Sequence, residues 1–447
     1  MNREGIKLKK PFKWLSVVTV CIFLLGSVLA ACSSGGDSGS TDATQDEDNK
    51  SGESITLELA YWDEVFSDEL DQAIARFNEE YPNVKVNKTV TPWANYWEKL
   101  QTSVTGGSGP DVMWMNGPNF QKYAMNNLIS SIDPYIEQEG IDKSNFDDSM
   151  IDMYTYEDEL YGLPHFMSVT VFFYNKKLFD EAGLDYPDET WTWDDIVENA
   201  KKLTKETDNG KQYGFLAHTQ NQNGYYNFIH QAGGHIINED GTKSGFDLPE
   251  TQQGLQFLYD MMYEEEVSPT AEQITETEPN QFMGSGKVAM MPAIDVHAST
   301  LYEMLGDDLG VAPLPAGPAG KAAITHGLSF VMNANTDYPD EAFALIKYLT
   351  DEESSISLAK SGLGAPTYKG TEEYVLDALP IDMQAIVDSM EIGVGYPISI
   401  ETTKWQKVEE DEIMDFFWGS QTVEEAGEKI ATEMNKILEE EKKLSGE

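Results

Sequence analysis

From Ile55 onward, apolar residues recur in two alternating rhythms. Ile55, Leu57 and Leu59 alternate towards Tyr61-Trp62, the period of a half-buried strand. Phe66, Leu70, Ile74, Phe77 and Tyr81 then follow helical spacing, and Pro82 marks the stop. Val84, Val86 and Val90 alternate again. Trp97, Leu100 and Val104 line a second helix that ends at Gly106-Gly107, and Val112 to Met115 is a short apolar strand. This β-α-β-α-β order predicts parallel strands joined by right-handed crossovers. Ligands of such sheets bind beyond the carboxyl ends of the strands. The residues there are Trp62-Asp63-Glu64, Thr91-Pro92-Trp93 and Asn116-Gly117.

Further along, a strand is predicted over Val169 to Tyr174, bracketed by Gly162-Leu163-Pro164 and Asn175. Thr192 to Asp195 has the capping-box pattern and opens a helix through Leu203. Helices are expected at Tyr225 to Gln231, Leu255 to Tyr263 and Asp340 to Thr350. Strands are expected at Lys287 to Met291, ended by Pro292, and at Gly310 to Pro313 and Leu328 to Met332. A second capping box, Thr422 to Glu425, precedes a C-terminal helix whose buried stripe is Ala426, Ile430, Met434 and Ile437. With 447 residues the chain exceeds the usual limit for one hydrophobic core, so two lobes are expected.

Before Ile55 the pattern is different. Arg3, Lys7, Lys9, Lys10 and Lys13 precede an apolar run from Leu15 to Leu29, which closes on Ala30-Ala31-Cys32. This is the arrangement of a secretory signal, and it is shorter than the roughly 20 residues that span a bilayer. Leu29-Ala30-Ala31-Cys32 resembles the lipobox of bacterial lipoproteins. That resemblance implies cleavage after residue 31 and a lipid-modified Cys32, anchored on the extracellular face of the cell membrane of a Gram-positive envelope. Residues 32–54 are Ser/Gly/Asp-rich with no aromatic side chain, the composition of a flexible linker.

Composition narrows the chemistry. The chain carries 30 Lys and Arg against 78 Asp and Glu, a formal charge of −48. Such a field disfavours nucleic acid, whose phosphates require basic neutralisation. It also disfavours electrostatic adhesion to anionic lipid, which leaves the acyl anchor as the membrane link. The only two cysteines are Cys21, lost with the signal, and Cys32, so no disulfide and no Cys-based zinc site is expected. The six histidines show no metal-site spacing, and neither metal nor cofactor is predicted. Gly284-Ser285-Gly286-Lys287-Val288 lacks the Ser or Thr of a phosphate loop, and Phe282 and Val288 fit a buried strand edge. Gly327-Leu328-Ser329-Phe330-Val331 lacks the second glycine of a nucleophile elbow.

Several motifs occur in sequence. Gly109-Pro110-Asp111-Val112 precedes an apolar strand and Asn116. Tyr161-Gly162-Leu163-Pro164, Phe173 to Leu184 (FYNKKLFDEAGL), Thr190 to Asp194 (TWTWD), Phe282 to Met291 (FMGSGKVAMM) and Pro313-Leu314-Pro315 with Gly320 follow. Together they resemble the family-1 extracellular solute-binding proteins, the carbohydrate-binding components of ABC importers, over roughly residues 55–440. The resemblance implies an α/β, two-lobed, type II periplasmic-binding-protein-like fold. Each lobe would be a mostly parallel sheet flanked by helices, with a hinge crossed more than once. The expected division is 55–165 plus 297–336 for lobe 1, and 166–296 plus 337–447 for lobe 2 with the C-terminal helices.

A sugar site needs flat aromatic faces for C–H surfaces and polar side chains for hydroxyls. On that basis, together with the ligand contacts that the resemblance implies at Asn116, His165, Tyr225 and Trp405, the candidate ligand-binding residues are Trp62, Glu64, Trp93, Asn116, His165, Tyr225, Asp295, His326 and Trp405. Trp62 and Trp93 either line the cleft or pack a helix, while Trp114 belongs to the core. Trp405 is selected because it stands between Lys404 and Gln406 with no helical stripe to join. The predicted activity is capture of a neutral sugar or oligosaccharide by a monomeric, non-enzymatic receptor that docks on ABC permease subunits. A sugar phosphate would need a convergent basic cluster, and apart from Lys404 and Lys407 around Trp405 no site-bordering segment offers more than one isolated basic residue. A lipid-anchored glycan hydrolase, using paired carboxylates, and an adhesive surface lipoprotein are the alternatives.

Overall fold

The computed structural model describes residues 54–208 and 210–444. The predicted signal, Cys32 and the linker up to residue 53 lie outside the described residues. The main sheet is built on seven strands: β1 (Ile55–Tyr61), β2 (Val84–Val90), β3 (Val112–Asn116), β4 (Gly162–Asn175), β5 (Met290–Ile294), β6 (Leu309–Ala312) and β7 (Ala323–Met332). Their order is β6-β4-β7-β3-β1-β2, with β5 also paired to β4. Two short pieces, Ala365–Pro366 and Gly393–Gly395, extend it against β4 and β7.

The period-2 pattern of β1 places Leu57, Leu59 and Tyr61 in the core. β1 lies parallel to β2, from Ile55 opposite Val84 to Tyr61 opposite Val90, and parallel to β3. The crossovers are helices α1 (Ser67–Glu80) and α2 (Trp93–Thr105). α1 buries Leu70, Ala73, Ile74 and Phe77, together with one charged residue, Glu69. Asn116 ends β3 and caps α3 (Gly117–Met125). Four later helices complete the frame used below: α4 (Pro339–Thr350), α5 (Glu352–Ser361), α6 (Thr402–Phe417) and α7 (Val423–Leu444). Both capping boxes form. The Thr192 N–H donates to Asp195 at 2.8 Å, and the Glu425 N–H donates to the Thr422 hydroxyl at 3.2 Å.

Beyond β3 the sheet departs from the expectation of mostly parallel lobes. β7 runs antiparallel to β3, β4 antiparallel to β7, and β5 and β6 antiparallel to β4. The sheet is therefore mixed. The reason lies in β4, whose 14 residues are all buried, far longer than the predicted strand. Its register against β7 skips between Leu328, opposite Phe166, and Ser329, opposite Pro164, so His165 is the extra residue of a bulge. Pro164 cannot donate to a ladder, and a bulge is where a strand tolerates it. Pro292, expected to end a strand, lies inside β5 opposite Phe172. Phe282 lies buried inside a short helix, Pro279–Gly284, rather than edging a strand.

The described residues form one compact unit that contains two hydrophobic cores. β4 passes from the first core to the second between Met167 and Val169, and β7 returns from the second to the first between Ile324 and Leu328. The boundaries differ from the predicted ones. Ala298, Leu301, Leu309 and Leu314 pack in the second core, although residues 297–336 were expected in lobe 1. Ala342 to Leu349, Leu358, Leu363 and Ala365 pack in the first core, although residues from 337 on were expected in lobe 2. Arg76 on α1 shows why. Its guanidinium donates to both oxygens of Asp351 at 2.6 and 2.8 Å, to the Ser354 hydroxyl at 2.7 Å and to the Tyr348 carbonyl at 3.1 Å. The start of α5 and the end of α4 are thereby fastened to α1.

Arg76→Ala is expected to cost about 1–3 kcal/mol, the range for charge-assisted hydrogen bonds that are partly shielded from water. Urea unfolding of the two chains checks this, and an unchanged midpoint would mean that the clamp contributes nothing.

Candidate functional site

A cleft of about 940 Å³ draws its walls from both cores. Trp93, the first residue of α2, stands beyond the carboxyl end of β2 with 52% of its surface exposed. Trp62 meets it edge-on at 5.1 Å and lies 4.7 Å from Trp114, so Trp62 braces the exposed ring from behind. Asn116 lines the same wall, but its carbonyl oxygen is occupied as the α3 cap. It accepts from the Asn119 N–H at 3.2 Å and from the Asn119 amide at 2.9 Å.

The facing wall comes from residues 218–225, Tyr396 and the exposed side of α6, with Gln406, Glu410 and Met414. The segment 218–225 folds back on itself at Gly224, where a Cβ would meet the His218 carbonyl at 2.0 Å. Only glycine permits that approach. Burial holds His218 neutral, pushing its pKa down to about 3, and its Nδ1 accepts from the Gln220 N–H at 3.3 Å. Tyr225 lines the cleft while its hydroxyl donates to Glu409 at 2.7 Å. His326, on β7 between the walls, is also held neutral by burial. Its Nδ1 and the Gln222 amide nitrogen are buried with no hydrogen-bond partner, and both residues line the cleft. Buried polar atoms of this kind are satisfied in native structures by water or ligand.

The charged residues of the lining are Glu98, Glu278 and Glu410, and the lining contains no Lys or Arg. Lys404 and Lys407, the basic residues on either side of Trp405, pair with Glu440 and Asp411. Among the described residues no group of three or more His, Cys, Asp and Glu side chains is placed to hold a metal ion. None of the described helices is long and apolar enough to cross a membrane.

Residues 56–356 match the bacterial extracellular solute-binding protein family. The chain belongs to that family. It is 29% identical over 335 residues to an arabinooligosaccharide-binding protein of Halalkalibacterium halodurans, covering 69% of this chain and 71% of that one. Among solved structures it is similar to an ABC substrate-binding protein from Listeria monocytogenes in complex with cycloalternan. That match has a TM-score of 0.81 and 25% identity, covering 86% of this chain and 99% of the other. Maltose-bound T. maritima MalE3 shares the fold at a TM-score of 0.74 and 21% identity, over 86% of this chain and all of that one. The fold is accordingly the two-lobed, type II arrangement of these proteins.

In this solute-binding protein four of the nine candidate residues line the cleft: Trp93, Asn116, Tyr225 and His326. The other five do not. Trp62 supports Trp93, and Glu64 is exposed and accepts from the Ser67 hydroxyl at 3.3 Å. His165 is 3% exposed inside the first core, with its Nε2 3.2 Å from Glu69 and its ring among Phe66, Trp114, Phe166 and Phe330. Asp295 is buried beside the strand crossing, where it accepts from the Val169 N–H at 3.1 Å, and burial pushes its pKa up to about 7.

Trp405 is the clearest correction. It is fully buried on α6, and its indole N–H donates to the Ser399 hydroxyl at 2.9 Å. A stripe does exist, formed by Trp405, Glu409, Ile413 and Phe416 at spacings of four, four and three. A glutamate in the second position hides it. The overlooked cleft residues Gln406, Glu410 and Met414 sit on the neighbouring face of the same helix, at spacings of four. Recognising the stripe through Glu409 would have exposed them.

These placements separate two tryptophans. Trp405→Ala should lower unfolding free energy by about 3–5 kcal/mol, as for other buried aromatics. Trp93→Ala should change it by less than about 0.5 kcal/mol. Equal effects in chemical unfolding would contradict the assignment of one to the core and the other to the cleft.

Proposed function

We propose that this solute-binding protein captures a neutral sugar or oligosaccharide in the cleft and hands it to the permease subunits of an ABC importer. The observation that carries this reading is the exposed face of Trp93 opposite a wall of amides, imidazoles and tyrosines, in a cleft without Lys or Arg. An apolar C–H face can lie on the indole while hydroxyls meet Gln222, His326 and Gln406. A phosphate or carboxylate on the ligand would face Glu98, Glu278 and Glu410 uncompensated. The sugar ligands of the related proteins support the same class. The role is binding and release without chemistry, with the ligand shifting an equilibrium towards a closed form. Acyl chains on Cys32 would hold the receptor at the outer face of the membrane, tethered by the 32–54 linker.

Titration calorimetry with neutral arabino-, malto- and manno-oligosaccharides, each beside a phosphorylated counterpart, tests the reading. Binding of a neutral member is expected, weakened about tenfold, or 1.4 kcal/mol, by Trp93→Ala. Tight binding of a phosphorylated sugar with none of a neutral one would overturn it. In cells, Cys32→Ala should move the protein from the membrane fraction to the medium.

A further inference from the structure

Glu409 is a charged residue with no exposed surface, set on the buried stripe of α6 directly behind the cleft wall. Its Oε1 accepts from the Tyr225 hydroxyl at 2.7 Å and its Oε2 from the Tyr226 hydroxyl at 2.8 Å. The two rings meet edge to face at 5.3 Å. Tyr226 in turn packs at 5.4 Å against Tyr396, whose hydroxyl accepts from the Gln406 amide at 2.6 Å. Tyr225, Tyr396 and Gln406 all line the cleft. One buried carboxyl group therefore holds Tyr225 directly and, through Tyr226, stands behind Tyr396.

A carboxylate accepts only, so an ionised Glu409 draws both tyrosine protons onto itself. A protonated Glu409 has one donor. It then donates to one tyrosine oxygen and accepts from the other, and the first tyrosine is free to turn its proton elsewhere. When that tyrosine is Tyr225, the freed O–H belongs to a cleft residue. Among the described residues no Lys or Arg faces this cluster: its ionisable neighbours are Tyr225 and Tyr226 from the segment 221–231, Tyr396 ahead of α6, Glu410 on α6 itself, and His326 of β7, whose ring, held neutral by burial, lies 6.1 Å from Tyr396. Lys407 acts on Glu410 and is paired with Asp411. Burial, reinforced by the Glu410 charge, outweighs the two tyrosine hydrogen bonds and pushes the Glu409 carboxyl up to about 8.

We propose that Glu409 is a proton-linked positioning residue for the cleft, whose protonation frees the Tyr225 hydroxyl to donate to a ligand oxygen and whose ionisation withdraws it. This rests on the reading of the cleft as a sugar site. The neutral form is the one competent for tight binding, and Glu409→Gln, whose uncharged amide likewise puts a donor on one tyrosine and an acceptor on the other, imitates it at every pH.

Two measurements test this. In calorimetry with arabinotriose, wild-type affinity should fall about two- to tenfold between pH 7 and pH 9.5, the worth of one hydrogen bond. Glu409→Gln should hold its affinity across the range, and Tyr225→Phe should be weak and flat. A flat wild-type profile, or a Glu409→Gln profile that falls in parallel, overturns the proposal. The second measurement needs no ligand. The unfolded glutamate titrates near 4.5 and the folded one near 8, so the folded chain holds an extra proton between them. Wild-type stability should therefore drop relative to Glu409→Gln as pH rises through that window, and the difference should level off above it. A pH-independent difference in urea midpoints sinks the proton linkage whether or not arabinotriose binds. If arabinotriose does not bind, the same series is run with whichever neutral oligosaccharide does; binding by none counts against the sugar reading, and the stability comparison then decides the linkage alone.

Discussion

The antiparallel pairing of β4 with β7 is the constraint on which the rest of the molecule depends. From Gly162 opposite Val331 to Val169 opposite Thr325, two long strands share a ladder across the boundary between the cores. Because every residue of β4 is buried, each of its backbone groups needs an internal partner. Neighbouring side chains supply part of the supporting frame. The Tyr154 hydroxyl sits 2.7 Å from the Met115 carbonyl and 2.9 Å from that of Gly327, Asp295 accepts from the Val169 N–H, and Asn227 accepts from the Ile324 N–H at 2.8 Å. The two lobes are thus joined through paired strands whose crossing is braced by side-chain hydrogen bonds.

The cleft follows from that arrangement. β3 ends and α2 begins on the first core's side, which sets Asn116 and Trp93 on one wall. The second core presents residues 218–225, Tyr396 and α6 on the other. His326 lies on the crossing strand β7 opposite Ser168, and it contributes to the cleft lining between the two walls. Each wall is stiffened from behind by buried groups: Trp62, Tyr96 and Trp114 behind Trp93, and Glu409 behind Tyr225 and Tyr226. A binding surface whose rotamers are fixed beforehand loses less entropy on capturing ligand.

Much of this was legible in the chain. The alternation through Ile55–Tyr61, the helical spacing of α1, both capping boxes and the ordered motifs gave the first βαβ units and the family. The strand-end rule also led to Trp93 and Asn116. The misreadings share a cause. Single-sequence periodicity treats a charged residue as exposed, yet Glu409 completes the Trp405 stripe and Glu69 sits buried against His165. Proline was treated as a strand terminator, yet Pro164 lies at a bulge and Pro292 inside a strand. The lobe boundaries were misplaced because Arg76 and Asp351, 275 residues apart, carry no local signal of their pairing.

The central claim is that two cores joined by β4 and β7 close around a sugar held between Trp93 and the Tyr225 wall. Small-angle X-ray scattering of the chain from about residue 52 onward, alone and saturated with a neutral oligosaccharide shown to bind, tests it most directly. The account predicts a smaller radius of gyration on saturation, and Trp93→Ala should require more ligand to reach the same value. A radius of gyration that stays the same at full saturation would contradict it.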